Sequence, residues 1–172
     1  MIIRIFSIAL SLLLSNVVSA QEDVLTTFIL IRHAEKEGQN TMTTGNKDPK
    51  LSAEGLKRAE KLVALFAKSE IGAIYSTPFI RTKSTVEPLA QSKSLTVLEY
   101  EPNKLELIDK MRDDHAGKTI VVCGHSNTIP KIANHLTRSE KIKDFDDSDY
   151  GNILIVTVSS HQKNSTVTWV TY

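Results

Sequence analysis

Short runs of β-branched and apolar residues alternate along the chain with segments in which apolar positions recur every three or four residues. The runs are 24–31 and 119–123, and shorter strands read at 73–76 and 95–100. Continuous apolar stretches of this length suit strands covered on both faces. Ser52 can cap a helix that carries Glu54 in its first turn and Leu56, Ala59, Val63 and Phe66 as its apolar positions. Further helical patterns occupy 79–91, 105–112 and 128–136, and Pro88 leaves the end of the first of these open. Strands at 152–159 and 166–172 close the chain. Strands alternating with helices predict an α/β fold, a three-layer α/β/α sandwich with a mostly parallel central sheet and antiparallel pairing at the end. In such sheets ligands gather beyond the carboxyl ends of the strands.

The N-terminal segment has another pattern. Arg4 precedes an apolar run over 5–14, and Val18-Ser19-Ala20 supplies a small-residue end. These features predict a secretory signal peptide over 1–20, cleaved after Ala20, and a single domain over 21–172. The run is shorter than the ~20 residues of a comfortable membrane span, although Val17 and Val18 extend it and keep a retained anchor as the alternative. A protein released after cleavage is secreted or periplasmic and makes no stable membrane insertion.

Composition narrows the classes. With 41% hydrophobic residues the chain is too apolar for disorder, and one cysteine excludes both a disulfide framework and a multi-cysteine zinc site. Removing Arg4 from the 21 basic residues leaves 20 against 20 acidic ones, so the mature chain is formally neutral and gives no support for a nucleic-acid partner. The acidic run Asp144, Asp146, Asp147 and Asp149 lacks the glycine and terminal glutamate of a calcium loop and reads as a solvated turn.

Three strand ends carry the chemistry. The first is Ile31-Arg32-His33-Ala34-Glu35-Lys36, the second Tyr75-Ser76-Thr77-Pro78-Phe79-Ile80-Arg81-Thr82, and the third Val122-Cys123-Gly124-His125-Ser126-Asn127-Thr128. They bring two histidines and two arginines to one sheet edge without a comparable acidic cluster. Such a pocket suits a tetrahedral anion, because guanidinium forks bind its oxygens while a neutral imidazole can attack phosphorus.

In these motifs the sequence resembles the histidine phosphatase superfamily, the phosphoglycerate-mutase-like fold. Asp48-Pro49-Lys50-Leu51-Ser52-Ala53-Glu54-Gly55 and Ser76-Thr77-Pro78-Phe79-Ile80-Arg81-Thr82 follow its pattern in order between Arg32-His33-Ala34 and Gly124-His125-Ser126-Asn127-Thr128. The resemblance implies that His33 becomes phosphorylated, that Arg32 and Arg81 hold the phosphoryl group, and that His125 is the second pocket histidine. It implies a phosphatase acting on a phosphorylated small molecule or phosphoprotein, needing neither metal nor cofactor, since two guanidiniums and an imidazole supply the electrostatics.

The departures matter as much. Larger members carry an aspartate directly after the second histidine, where this chain has Ser126. Among the carboxylates between Glu87 and Asp114, Glu101 is the preferred general acid because it follows a strand end. Lys36 and Asn127 are candidate substrate-binding residues, and the loop 35–50 and the stretch 101–104 are expected to set specificity. A poorly assured acid favours good leaving groups and disfavours mutase chemistry. Two rivals stay open: a noncatalytic anion-binding module on the same fold, and a serine esterase in which Gly124-His125-Ser126-Asn127-Thr128 acts as a nucleophile elbow with His161 as its base. A metal hydrolase is weaker, because no third ligand accompanies His33 and His125.

Overall fold

The element order alternates as the apolar runs predict. A computed structural model describes residues 23–38, 47–160 and 164–172. The segment 1–20, residues 39–46 of the loop 35–50 and His161 lie outside the described residues. Strands β1 (Leu25–Arg32), β2 (Ile71–Ser76), β3 (Val97–Glu99), β4 (Thr119–Gly124), β5 (Asn152–Ser159) and β6 (Ser165–Thr171) form one sheet in the order β3-β2-β4-β1-β5-β6. β3, β2, β4 and β1 run parallel, β5 pairs antiparallel with β1, and β6 pairs antiparallel with β5. The sheet is therefore mixed, with its parallel part at the end that carries the motifs.

Helices α1 (Ala53–Leu65) and α2 (Ile80–Ser92) cover one face, and α3 (Glu106–Asp114) and α4 (Thr128–Thr137) cover the other. β1 shows why its apolar run is continuous. Phe28 and Leu30 pack with Ile108, Ile129 and Ile132 on the α3/α4 side, whereas Ile29 and Ile31 pack with Leu62, Val86 and Leu89 on the α1/α2 side. Successive side chains point to opposite faces, so a strand with helices on both needs apolar residues throughout.

Most boundaries shift by a residue or two from the sequence pattern, and those of β3, α2 and α3 have identifiable reasons or extents. β3 begins at Val97 rather than at 95, because Ser94 is left-handed at φ 55° and the Leu95 N–H bonds the Ala90 carbonyl at 2.9 Å. That closing turn of α2 uses the residues that would have opened the strand. α2 passes through Pro88 and ends at Ser92, held by its buried face of Thr85, Val86, Leu89 and Ala90. α3 starts at Glu106 and runs on to Asp114. Among the described residues no helix is long and apolar enough to cross a membrane.

The motif Leu51-Ser52-Ala53-Glu54-Gly55 seats α1 on the end of β1. Ser52 caps the helix, its hydroxyl accepting from the Gly55 N–H at 3.1 Å, while its own N–H bonds the Glu35 carbonyl at 2.9 Å. A Cβ at Gly55 would lie 2.1 Å from that same carbonyl oxygen. Gly55→Ala is therefore expected to destabilise the fold by about 1–3 kcal/mol through overpacking against rigid backbone, read as a lower urea midpoint.

Candidate active site

The parallel registers determine which side chains meet. Arg32 on β1 stands opposite Gly124 on β4, and Ser76 on β2 stands opposite Cys123. Beyond these pairs the strand ends stay stitched together. The His33 N–H donates to the Gly124 carbonyl at 2.9 Å, and the Thr77 N–H to the Cys123 carbonyl at 3.3 Å. The Thr85 hydroxyl accepts from the Ala34 N–H at 2.9 Å and donates to the Arg81 carbonyl at 2.8 Å, joining β1 to the first turn of α2.

His33 is 5% exposed and stands in a defined tautomer. Its Nδ1 lies 2.8 Å from the Ala34 carbonyl, which can only accept, so Nδ1 carries the proton and Nε2 keeps its lone pair. Burial pushes its pKa down to about 3, opposed by the Ala34 bond and helped by the charges of His125, Arg81 and Arg32. A neutral imidazole with Nε2 unprotonated is the nucleophilic form.

His125 follows β4, with its ring centroid 5.4 Å from that of His33. Gly124 lets α4 approach, since a Cβ there would lie 2.7 Å from the Thr128 hydroxyl, and that hydroxyl accepts from the His125 N–H at 2.8 Å. The glycine and threonine of the motif thus hold the histidine between them. Arg81 Nη2 donates to His125 Nδ1 at 3.4 Å, which places the imidazole proton on Nε2, 3.0 Å from the Thr77 hydroxyl. Thr77 in turn bonds Thr82 at 2.9 Å. Burial first, then Arg81 and Arg32, lower the His125 pKa to about 4. A bound phosphoryl dianion would oppose the arginine contribution and favour the imidazolium.

The two arginines are held differently. Arg81 donates to the Asp48 carboxylate at 3.3 Å and stacks over the Phe79 ring at 4.4 Å. Asp48 also accepts from the Ile80 N–H at 3.0 Å, capping α2 at the residue before Arg81. Arg32 is 3% exposed. Its Nη1 donates to the carbonyls of Asp146 and Asp149 at 2.6 and 2.7 Å, and its Nη2 to that of Asp147 at 2.9 Å. Arg32 also stacks on Tyr150 at 4.2 Å. Three of its five N–H donors are thus committed to one loop, leaving Nε and one Nη2 hydrogen for an anion.

Beside Arg32 lies a cavity of about 600 Å³, lined by Lys36, Glu54, Asp147, Ser148 and Tyr150 among others. Glu35, which also lines this cavity, is held in a bidentate pair with Arg58, at 2.6 to 3.0 Å. Burial works to raise the Glu35 pKa, but the Arg58 bonds overcome it and hold the carboxyl below its usual range.

Of the residues singled out from sequence, the structure brings together Arg32, His33, Arg81 and His125, with Lys36 at the adjoining cavity. It does not bring Glu101 to them. That residue follows the edge strand β3, is exposed, and pairs with Lys104 at 3.0 Å. Asn127 is exposed at the start of α4 and makes no side-chain cap bond. Among the described residues no histidine bonds the Ser126 hydroxyl, and no group of three or more metal-ligating side chains occurs. The acidic run is more than a solvated turn, because its backbone carbonyls anchor Arg32. Asp48, Thr77 and Tyr150 are site residues that the sequence reading missed. Asp48 and Thr77 lie inside quoted motifs, but no sequence signal marks Tyr150.

Residues 28–104 match the model of the histidine phosphatase superfamily (branch 1), a segment that holds Arg32, His33 and Arg81 but not His125. A 72-residue stretch is 38% identical to phosphoserine phosphatase 1 of Hydrogenobacter thermophilus, covering 41% of this chain. The match spans about a third of that relative's length, 34%. The fold is similar to the protein histidine phosphatase SixA complexed with tungstate, with TM-score 0.68 and 14% identity over 84% of this chain and 96% of that one. It is also similar to phosphoserine phosphatase from Entamoeba histolytica in complex with 3-phosphoglyceric acid, with TM-score 0.67 and 17% identity over 86% and 98% of the two chains.

The lowered His33 pKa has a consequence for stability. Unfolded, His33 takes up a proton as pH falls through its ordinary 6.5, whereas folded it stays neutral until about 3. Its contribution to stability is therefore present above pH 6.5 and is lost at about 1.4 kcal/mol per pH unit below it. Urea midpoints measured at pH 7 and pH 5 should show a smaller acid-induced drop for His33→Asn than for the unmodified protein.

Proposed function

We propose that the chain is a member of the histidine phosphatase superfamily, whose model its segment 28–104 matches, and that it is a phosphatase acting through a phosphohistidine on His33. The observation that carries this reading is the His33 tautomer. A ring held through Nδ1 and neutral at physiological pH presents Nε2 for in-line attack on phosphorus. As the N–P bond forms, the bond from phosphorus to the leaving oxygen breaks. Arg32, Arg81 and His125 stabilise the charge on the equatorial oxygens. Water then attacks the phosphohistidine, releasing inorganic phosphate and returning His33 to its neutral form.

Glu101 pairs with Lys104 at the outer edge of the sheet, so this reading assigns the site no carboxyl general acid. Good leaving groups, such as aryl or acyl phosphates, are then turned over fastest. The substrate is a phosphorylated small molecule or a phosphoprotein, and the phosphoserine phosphatases among the similar proteins favour a phosphorylated amino acid or side chain. The cavity lined by Lys36 and the acidic Glu54 and Asp147 offers both signs of charge to such a group. Hydrolysis requires no metal, since the two guanidiniums and His125 supply the electrostatics. The protein acts after export, once residues 1–20 have been removed.

The purified protein should hydrolyse an aryl phosphate in the presence of a chelator. His33→Ala should abolish that activity and Ser126→Ala should largely retain it. Trapped enzyme should carry phosphate that is labile to acid and stable to base. Activity surviving His33→Ala, or activity on an aryl ester alone, would refute the reading. For export, mass spectrometry of protein recovered outside the cytoplasm should find Gln21 at the N-terminus, and an intact Met1 would count against cleavage.

A further inference from the structure

Five buried side-chain polar atoms among the described residues make no hydrogen bond, and three of them lie on the groups around His33. They are Arg32 Nε, Arg81 Nε and the Tyr150 hydroxyl. Leaving a buried donor unpaired costs free energy, so native structures rarely collect such donors in one place without a partner to receive them. A tetrahedral oxyanion, which has only acceptors to offer, is the partner that satisfies all three.

Tyr150 is held where it stands. Arg32 packs against its ring, with the guanidinium carbon 4.2 Å from the ring centroid. The preceding loop is tied down by the Arg32 bonds to Asp146, Asp147 and Asp149. Asn152 Nδ2 bonds the Asp149 carbonyl at 3.1 Å, and Gly151, at φ 83°, turns the chain into β5. The ring centroids of Tyr150 and His33 are 6.0 Å apart. Arg32 and Arg81 both act on the hydroxyl, yet burial outweighs them and raises its pKa, so the group remains a protonated donor at neutral pH.

We propose that Tyr150 is a further catalytic residue, its hydroxyl donating a hydrogen bond to an oxygen of the phosphoryl group held by Arg32 and Arg81. This rests on the phosphatase reading for its substrate but on the orphaned donors for its geometry. The loop that precedes β5 then has two duties, anchoring Arg32 through its carbonyls and delivering a neutral donor beside it.

Tyr150→Phe keeps the ring over Arg32 and removes only the hydroxyl. It should lower kcat/KM about tenfold or more, by the same factor on an aryl and an alkyl phosphate, because the donor serves the phosphoryl oxygens rather than the leaving group. Orthovanadate should inhibit the variant more weakly by a similar factor, and the stabilisation of the folded protein by tungstate should shrink. Unchanged anion binding would overturn the proposal. So would a loss confined to the alkyl phosphate, which would mark a proton donor to the leaving group. In the unsubstituted protein labelled at tyrosine Cζ, tungstate should shift one of the four tyrosine resonances, and no shift would equally overturn it, whether or not the variant folds. The tungstate measurements read binding alone. They therefore still decide the role of Tyr150 if activity survives His33→Ala and the phosphohistidine reading fails.

Discussion

The parallel pairing of β1 with β4 is the constraint on which the site depends. Arg32 stands opposite Gly124, and the bond from the His33 N–H to the Gly124 carbonyl carries the pairing one residue past the strand. A slip of one residue would flip Arg32 and every other side chain of β1 to the other face of the sheet. Both faces are buried under helices, and the volumes of Phe28 and Leu30 on one side and Ile29 and Ile31 on the other resist such a slip. Core packing thereby protects the geometry of the nucleophile.

From that pairing the site is assembled by backbone as much as by side chains. The Ala34 carbonyl sets the His33 tautomer, and the carbonyls of Asp146, Asp147 and Asp149 hold Arg32. Carbonyls cannot titrate, so these supports keep their form across the pH range in which the protein is folded. Arg81 instead leans on a carboxylate, that of Asp48, which also caps α2. The acidic groups near the site thus position cations, and positive charge is left for the anion. Neutral overall charge is compatible with such a pocket, because the balancing carboxylates are spent on arginines or exposed at the surface.

Several departures from the sequence pattern share one cause. Strand 95–100 is predicted from local apolarity, but residues 93–95 are taken by the closing turn of α2, which leaves β3 only three residues. Glu101 therefore follows a short edge strand, exposed and paired with Lys104, instead of overhanging the pocket. Conversely, Asp146, Asp147 and Asp149 read as a solvated acidic turn because side chains are what a sequence displays. Their contribution runs through main-chain oxygens, to which residue type is blind.

By itself the sequence determined what local chemistry can encode. It set the alternation of strand and helix, the two-faced burial of the parallel strands, the capping of α1 by Ser52, and the delivery of Arg32, His33, Arg81 and His125 at strand ends. Each follows from periodicity or from a residue's place in a motif, which are properties of neighbouring positions. Only the tertiary structure decided the tautomers of His33 and His125, the commitment of Arg32 to a loop 114 to 117 residues away, and the approach of Tyr150 to the nucleophile. Those contacts join segments whose separation along the chain is arbitrary. They exist because the sheet order places β1 between β4 and β5, so that the turns at both neighbouring strands close over the end of one strand.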